Sequence, residues 1–539
     1  MRGARALLGA LVASGVEVSF ANPGTSEMHF VASIDEVPQM RAVLGLFEGV
    51  CTGAADGYGR MADKPASTLL HLGPGLANGL ANLHNARRAG SPVVNIVGDH
   101  ATYHRRYDAP LASDIESLAR PMSGWYRSSA RPEDVAADGA AAVEAALGPP
   151  RRVATLVLPA DVSWLDAGDA PAYAGAPGAA GAPGAAGEGA RFASRSAGSE
   201  VPSDRIEAVA RVLRSQEPAA LLLGGRSLRE RPVLAASRVA ATVGAKLWSE
   251  TFPGRTERGA GLPAVERLLY LGELARMQLD GLRHLVLVDA RVPVSPFAYP
   301  SMGSELLPEG CEVHVLASSS EDPCAALEAL AETVGAKPDA AVLSNAARPG
   351  LPSGQLTAAS VAAVVGALLP EGAIVSDESI SAYLHFPGAT EGAPRHDWLG
   401  LSGNAIGQGL PLATGAAVAC PDRPVIALQA DGSAMYTIQA LWTQAREGLD
   451  VTTVLLDNSS YAILKFELRR VGAEAGGPGA RSLLDLSHPD LDFVKIAQGM
   501  GVPAVRAESS EELAVAFRRA LAEPGPHLVH AVLAGNSGF

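Results

Sequence analysis

The chain has 539 residues, a formal net charge of −14, 47% hydrophobic residues and 19% charged residues. This length predicts about three domains of roughly 150 residues each, and the composition is typical of a globular protein. The acidic balance argues against nucleic acid or an anionic membrane as partner. No apolar run reaches about 18 residues, so we expect no membrane span. The four scattered cysteines form no disulfide or metal spacing, which favours a reducing, cytoplasmic location.

The amino-terminal residues 6–18 form an apolar run that could be mistaken for a signal peptide. The run is interrupted by two glycines and a glutamate, and it continues into an alternating segment, residues 16–20. We therefore predict a helix followed by the first strand of a domain. The next segment, residues 22–27, predicts a turn with a capping box in which Ser or Thr precedes Glu27.

Four side chains of the first domain are candidates for chemistry. Glu48 lies among apolar neighbours, which predicts at least partial burial and a functional carboxylate, although a lone glutamate near a helix start is usually solvated. His71 follows a strand-like run, where an imidazole can transfer protons near neutral pH. The alternative for His71 is a hydrogen bond to the backbone. His100 and His104 follow another strand. They either face the pocket or are ordinary loop residues.

Two segments divide the chain into domains. Residues 167–202 contain a near-repeat of Ala, Gly and Pro that cannot bury enough apolar surface, so we predict a flexible linker after a first domain at 1–166. A second domain then covers 203–337. A second segment rich in Pro and Gly, residues 338–355, leads into a third domain at 356–539.

The middle segment alternates helix and strand patterns. Residues 206–213 have helical spacing, and 219–223 form an apolar strand that ends in Gly224-Gly225. A Gly-Gly pair after a strand is weak support for dinucleotide binding, because the full glycine pattern is missing. After a further strand, 285–289, Phe297 and Tyr299 lie in a loop, where one of them lines a pocket or both pack as in an ordinary loop.

The third segment begins with a strand-like run, residues 373–381, that ends in hydroxyl and carboxyl side chains. A glycine-rich stretch, residues 403–411, then precedes a helix at 413–419, and glycines allow the backbone to approach a ligand closely. Ile406 within this stretch is either a ligand contact or part of the core.

Two strands near the carboxyl terminus end in polar residues. Residues 425–429 form a buried strand, Asp431 follows it in a polar turn before a helix, and Asn458 follows the next strand, residues 451–456. Because ligands bind beyond the carboxyl ends of parallel strands, we expect the two side chains to lie close together. Their oxygens suit Mg²⁺, and N–H groups at the helix start suit a phosphate. Either motif alone would be an ordinary turn or loop sequence.

The pair Ala430-Asp-Gly-Ser and Asp457-Asn458 resembles the thiamine diphosphate motif, Gly-Asp-Gly-Ser followed by Asn-Asn. Glu48 followed by Ala-Ala-Asp-Gly-Tyr-Gly-Arg resembles the pyrimidine-binding domain of the same superfamily, which contains acetolactate synthase and benzoylformate decarboxylase. Ala430 and Asp457 depart from the motif. The resemblance implies an α/β fold of three doubly wound parallel-sheet domains, namely pyrimidine-binding, Rossmann-like middle and pyrophosphate-binding.

The resemblance also implies roles for individual residues. Glu48 would bond the cofactor aminopyrimidine, Thr25 matches a substrate-binding serine, and His71 matches a histidine that the decarboxylase has and the synthases lack. The implied Mg²⁺ ligands are Asp431, the Asn458 side chain and the Ser460 carbonyl. The implied cofactor contacts are Asn404, Ile406, Ser379, Ser381, Gly432, Ser433 and Tyr461. The implied substrate contacts are His100, His104 and Phe297.

The implied activity is a thiamine diphosphate- and Mg²⁺-dependent decarboxylase or carboligase of 2-oxo acids. The cofactor ylid would attack the keto carbon, and after loss of CO₂ the carbanion would be protonated or would add to a second carbonyl. The active site would lie between subunits of a homodimer or a dimer of dimers. The middle domain lacks clear FAD signatures, so we expect no FAD. The alternatives are a true acetolactate synthase acting on pyruvate and a non-catalytic, cofactor-binding homologue.

Overall fold

The computed structural model describes residues 1–168, 198–300, 302–473 and 477–534. Most of the predicted linker at 167–202 lies outside these residues. The described chain folds into three sheets with helices around them, as expected for an α/β protein. Among the described residues, no helix combines the length and the apolar character needed to cross a membrane.

The first sheet has six parallel strands, and its four inner strands are buried along nearly their whole length, as expected when helices cover both faces. In spatial order its strands are Arg41–Leu44, Val18–Asn22, Ala66–Leu70, Val93–Asp99, Val153–Pro159 and Trp125–Ser128. Its helices are Gly3–Ala13, Met28–Ile34, Glu48–Ala62, Leu72–Ala89, Ile115–Ala119, Val135–Leu147 and Ala160–Trp164. The predicted first helix and first strand are confirmed.

The second sheet has five parallel strands. In spatial order they are Glu266–Arg267, Lys246–Ser249, Ala219–Leu223, His284–Val288 and Glu312–Ala317. The helices of this part are Ser203–Leu213, Glu230–Val243, Gly272–Leu279 and Pro323–Val334. The predicted strand at 219–223 is confirmed, and its five residues are buried.

The third sheet has seven strands, of which six are parallel. In spatial order they are Ala504–Ala507, His527–Val532, Val451–Asp457, Val425–Ala430, Ile374–Glu378, His396–Leu399 and Thr256–Arg258. The helices are Ala358–Leu368, Phe386–Thr390, Gly409–Ala419, Asp431–Thr437, Ala440–Glu447, Ala462–Arg470, Pro478–Ser482, Phe493–Gly499 and Ser510–Ala522. The last strand, Thr256–Arg258, is antiparallel and comes from the segment that we assigned to the middle domain.

A buried ion pair connects the three parts of the chain. The guanidinium of Arg60 donates to Asp56, one helical turn earlier, at 2.6 and 2.8 Å. It also donates to the carbonyls of Gly254 and Gly400, both at 2.8 Å. Both side chains are almost fully buried, so this pair is compensated by hydrogen bonds to several partners. Arg60 is the last residue of the motif that resembles a pyrimidine-binding domain, so this motif also connects the three parts of the chain.

Two helices cross with their backbones in contact. A Cβ atom placed on Gly415 would lie 1.8 Å from the Ala54 carbonyl oxygen, and one on Gly57 would lie 2.1 Å from the Leu412 carbonyl oxygen. Both obstacles are main-chain atoms, which cannot rotate away as a side chain can. The crossing of Glu48–Ala62 over Gly409–Ala419 therefore requires glycine at both positions.

We expect Gly415→Ala to lower the free energy of unfolding by about 3 kcal/mol, because the methyl group forces the helices apart. Gly9→Ala is the matched control, since Gly9 lies in a helix where no other described part of the chain comes within 4 Å of its Cβ position. That change should raise stability by about 0.5–1 kcal/mol. Denaturant unfolding measures both. An unchanged midpoint for Gly415→Ala would contradict the close crossing.

Candidate functional site

A cavity of about 270 Å³ opens at the carboxyl ends of the third sheet, where polar side chains from several strand ends converge. Nine of the residues that the sequence pointed to line its wall: Ser379, Ser381, Ile406, Asp431, Gly432, Ser433, Asn458, Ser460 and Tyr461. Asn404 does not line this wall. It is exposed, and its φ of 58° places it in the left-handed region.

The two polar strand ends meet as the parallel-sheet argument predicts. Asp431 and Asn458 follow neighbouring strands, and the Asn458 N–H donates to Asp431 Oδ2 at 3.2 Å. The Ser460 N–H donates to Asn458 Oδ1 at 3.1 Å. The Ser460 carbonyl accepts from the Ala462 N–H at 2.9 Å and keeps a second lone pair. A carboxylate, an amide oxygen and a carbonyl are hard donors of the kind that fit Mg²⁺.

Asp431 was expected in a polar turn, but it is the first residue of the helix Asp431–Thr437. Its Oδ1 accepts from the Gly432 N–H at 2.7 Å. Burial raises the pKa of Asp431 to about 7, and the neighbouring carboxylate of Asp457 adds to the rise. A buried carboxylate in this position is stabilised by a cation, which supports the fit of a metal ion.

Asp457, which departs from the motif, has a hydrogen-bonding partner. His530, on the adjacent strand, lies with Nε2 2.7 Å from Asp457 Oδ2. Burial alone would raise the pKa of Asp457, but the hydrogen bonds from His530 and the Ser459 N–H hold it below its usual value. The carboxylate at this position is thus stabilised by hydrogen bonds within the protein.

Gly432 makes room for an aromatic ring in the cavity wall. A Cβ atom at this position would lie 2.5 Å from the ring of Tyr461. The hydroxyl of Ser433 already accepts from the Gln429 side chain at 2.7 Å and donates to the Ala430 carbonyl at 3.1 Å. Ser433 therefore offers its main chain, rather than a free hydroxyl, to a ligand.

A buried carboxylate holds the glycine-rich loop against the sheet. Glu378 accepts hydrogen bonds from the N–H groups of Gly407 and Gly409 at 2.7 and 2.8 Å and from the Gln429 side chain at 2.9 Å. Burial nevertheless raises the pKa of Glu378 to about 7. Ile406, immediately before this loop segment, is half-buried and lines the cavity, so it is not simply part of the core.

Glu48 lies in the first domain and is not among the residues that line this cavity. It is the first residue of the helix Glu48–Ala62 and is 8% exposed, as its apolar neighbours indicated. Its Oε2 accepts from the Asn78 side chain at 3.0 Å. A Cβ atom on Gly75 would lie 2.9 Å from the other carboxylate oxygen, so the main chain passes close to it. The carboxylate is held in one position.

His71 pairs with a carboxylate, not with the backbone. Its Nδ1 lies 2.7 Å from Glu27 Oε2, which also accepts from the Gly24 N–H at 2.7 Å. Glu27 therefore forms the predicted capping interaction, but Gly24, rather than Ser or Thr, is the capping residue. Burial raises the pKa of Glu27 against the opposing effects of Gly24 and His71. A carboxylate that orients an imidazole in this way is typical of acid-base sites.

The remaining candidates of the first domain are His100, His104 and Thr25. His100 follows the strand Val93–Asp99. Its buried Nε2 and the buried Oε1 of Glu27 have no hydrogen-bond partner among the described residues. The ring of His104 is tilted by 54° to that of His100, with the ring centroids 5.2 Å apart. Thr25 is exposed.

Comparison with known proteins identifies the family. Residues 1–118 match the thiamine pyrophosphate enzyme N-terminal TPP binding domain, and residues 391–531 match the C-terminal TPP binding domain. The chain is 57% identical over 534 residues, 99% of each chain, to a Mycobacterium tuberculosis protein named as an acetolactate synthase large subunit, IlvX. The chain belongs to the thiamine diphosphate enzyme family.

Two further similarities cover nearly the whole chain. Benzoylformate decarboxylase of Pseudomonas aeruginosa is 31% identical over 536 residues, 96% of each chain. The structure of a thiamine diphosphate-dependent 4-hydroxybenzoylformate decarboxylase from Rhodococcus jostii RHA1 superposes with a TM-score of 0.81 at 25% identity, covering 99% of each chain. The resemblance to the acetolactate synthase and benzoylformate decarboxylase family is thereby confirmed, and the chain is a thiamine diphosphate-dependent enzyme.

In this family member, the loop of the middle segment reaches the third domain. The hydroxyl of Tyr299 donates to Glu467 Oε2 at 3.0 Å and accepts from Arg470 at 2.8 Å. Both partners belong to the helix Ala462–Arg470, whose first residues line the cavity. Phe297 is 56% exposed and lies near the ring of Tyr270. Tyr299 therefore contacts the helix that lines the cavity through two hydrogen bonds, whereas Phe297 lies near Tyr270.

The space beside the Gly224-Gly225 pair of the middle domain is filled by another part of the chain. Cβ atoms at these positions would lie 2.5 Å from the Asp289 carbonyl oxygen and 2.4 Å from its carboxylate. The Asp289 carboxylate accepts from the Arg226 N–H at 2.8 Å. The two glycines thus allow the end of the neighbouring strand to approach closely.

Four polar residues near the candidate sites were missed by the sequence reasoning. They are Glu27, Asn78, Glu378 and His530. Only Glu27 had a usable signal, because the capping box already placed its carboxylate at the loop. The partners of the other three are 29 or more positions away in the chain.

Proposed function

We propose that the protein is a thiamine diphosphate- and Mg²⁺-dependent 2-oxo acid decarboxylase or carboligase. The observation that carries the proposal is the convergence of Asp431, Asn458 and Ser460 on one cavity wall. Thiamine diphosphate, when bound, supplies the electron sink for loss of CO₂ from a 2-oxo acid. The relatives that match over nearly the full length include a benzoylformate decarboxylase, which supports this reaction class.

Each end of the cofactor has residues suited to it. Asp431, Asn458 and the Ser460 carbonyl would hold Mg²⁺, which shares its shell with a diphosphate. Ser379, Ser381 and the main chain at Gly432 and Ser433 would contact the diphosphate. Ile406 would support the bend of the cofactor, and the Asn404 carbonyl and Tyr461 would complete the contacts.

Glu48 would contact the aminopyrimidine from a second subunit. In a single chain it does not line the cavity that contains Asp431, which supports a site completed by another copy of the chain. A homodimer, or a dimer of dimers, provides such a site. Glu48 would then hold a proton at a ring nitrogen of the aminopyrimidine and so favour the tautomer of the ring that the cofactor's chemistry requires.

If each site is shared between two subunits, two inactive variants should restore each other's activity. Co-expressed Glu48→Gln and Asp431→Asn chains form hybrid dimers in which one site has both changes and the other has neither. We expect the hybrids to regain up to about half of wild-type turnover per dimer, since only one of two sites is intact. The turnover of purified, differently tagged hybrids measures this. Hybrids as inactive as the parent variants would place both residues in one chain's site.

His71, oriented by Glu27, would transfer protons to or from the substrate. We expect His71→Ala to lower the rate of aldehyde release by about 100-fold or more, because a positioned acid or base is lost. Glu27→Gln should lower the same rate by removing the carboxylate that orients the imidazole. Both variants should keep Mg²⁺ affinity, since neither residue is among the proposed metal ligands.

His29→Ala is the control for this prediction, because His29 is a half-buried histidine of the same domain whose ring packs against Trp164. It should retain wild-type turnover. Steady-state rates of aldehyde formation compare the three variants. Full activity in His71→Ala would remove His71 from the chemistry and leave it a structural partner of Glu27.

A true acetolactate synthase acting on pyruvate is the second candidate, because the 57% identical relative carries that name. The two candidates differ in product. Incubation with thiamine diphosphate, Mg²⁺ and a panel of 2-oxo acids, including pyruvate and phenylglyoxylate, separates them by analysis of CO₂ and organic products. An aldehyde as sole product supports the decarboxylase, and a hydroxyketone supports a carboligase. Acetolactate from pyruvate supports the synthase, and no CO₂ from any acid contradicts the proposal.

A further inference from the structure

Two histidines and a glutamate meet at the amino-terminal end of the middle sheet, away from the carboxyl ends of its strands. His284 begins the strand His284–Val288 and is paired with Glu312 on the edge strand Glu312–Ala317, which also carries His314. Within the described residues, these three side chains are the group whose ligand-type atoms lie mutually close enough to hold a metal ion. None of them belongs to the cofactor cavity.

The spacing of the three ligand atoms fits a tetrahedral ion. His284 Nδ1 lies 3.2 Å from His314 Nε2, and Glu312 Oε2 lies 3.7 and 3.8 Å from these two nitrogens. With metal-ligand distances of about 2.0–2.1 Å, the edge of a zinc tetrahedron is about 3.4 Å. The side chain of Glu312 is 69% exposed, so it is free to move the few tenths of an ångström that remain.

A second carboxylate prepares His284 as a ligand. His284 Nε2 lies 2.9 Å from Glu217 Oε2. Because an ionised carboxylate only accepts hydrogen bonds, the proton is on Nε2 and the lone pair of Nδ1 points at His314. Ligating histidines commonly donate their other N–H to a carboxylate in this way.

His314 completes the pair from the neighbouring strand. Its side chain is half-buried beside His284, and its Nε2 faces His284 Nδ1. Without an ion, the same geometry is satisfied by a hydrogen bond between the two rings, and this is the alternative that the experiment must exclude.

We propose that His284, His314 and Glu312 bind one divalent ion of the zinc class, with water as the fourth ligand and Glu217 orienting His284. Two imidazole nitrogens select Zn²⁺, Co²⁺ or Ni²⁺ over Mg²⁺, whereas the Asp431 site offers oxygen alone. The ion joins the edge strand of the middle sheet to its neighbour and stabilises that edge of the sheet.

The test is a calorimetric titration of the metal-free, untagged full-length protein with Zn²⁺ in saturating Mg²⁺, which occupies the oxygen site. We expect one zinc ion per chain, visible absorption typical of tetrahedral Co²⁺ when cobalt replaces zinc, and a rise in the melting temperature. His314→Ala and Glu312→Gln should lower zinc affinity by about 100-fold or more, and Glu217→Gln by about 10–100-fold. Because Glu312 and Glu217 are exposed at 69% and 51%, their variants are expected to fold normally, which circular dichroism checks.

Two control variants separate this site from other metal-binding groups of the chain. The double variant His100→Ala/His104→Ala and the variant Asp431→Asn should both bind Zn²⁺ as the wild type does. The proposal is overturned if the wild type binds no Zn²⁺ in Mg²⁺ buffer, because the two rings are then only a hydrogen-bonded pair. It is equally overturned if Glu312→Gln and His314→Ala bind Zn²⁺ with wild-type affinity, or if binding disappears in either control.

Discussion

Glu48→Gln is expected to lower turnover of 2-oxo acids by about 10²–10⁴-fold, the range for loss of a positioned proton-transfer group. The substitution preserves shape, and an amide still accepts the hydrogen bond that Asn78 donates to Glu48 Oε2. What it removes is the carboxylate that can exchange a proton with a pyrimidine nitrogen. Affinity for Mg²⁺ should be unchanged, because the proposed metal ligands lie in another domain.

Glu36→Gln is the matched control for Glu48→Gln. Glu36 is an exposed glutamate of the same domain that forms a surface ion pair with Arg5. Surface pairs contribute little to stability, so this variant should keep wild-type turnover. Steady-state kinetics at saturating cofactor compare the two. If Glu48→Gln retained more than half of wild-type turnover, the proposed role of the carboxylate would be wrong.

Asp431→Asn is expected to weaken binding of thiamine diphosphate with Mg²⁺ by at least about 100-fold, because losing a ligand costs at least as much as losing an outer-shell partner. The amide keeps an oxygen but loses the charge that attracts the cation. It also loses one acceptor, since Asp431 accepts from the N–H groups of Gly432 and Asn458. Equilibrium dialysis with cofactor and Mg²⁺ measures the change.

Asp422→Asn makes the same chemical change near the opposite end of the same strand. Asp422 is exposed and precedes the strand Val425–Ala430. It should bind cofactor as the wild type does, and circular dichroism should show both variants folded. Equal affinity in Asp431→Asn and Asp422→Asn would remove Asp431 from the metal site.

The parts of the account that the sequence predicted depend on local patterns. Apolar runs placed the strands Val425–Ala430 and Val451–Asp457, and the rule for parallel sheets then brought Asp431 and Asn458 together. The burial of Glu48 followed from its apolar neighbours in the chain. In each case, a few consecutive residues and one general rule were sufficient.

The parts that were missed depend on pairings between distant segments. His71 and Glu27 are 44 positions apart, and His530 and Asp457 are 73 apart. Strand register and side-chain rotamers decide such pairs, and neither is visible in one sequence. The same reason explains the strand Thr256–Arg258, which leaves its own segment to join the third sheet.

The central claim is that the cavity at Asp431 binds thiamine diphosphate through Mg²⁺, and calorimetric titration of the dialysed protein with thiamine diphosphate tests it most directly. With Mg²⁺ present, we predict binding of one cofactor per chain, and with a chelator in its place we predict no measurable binding. Absence of binding with Mg²⁺, or equal binding in the chelator, would contradict the account.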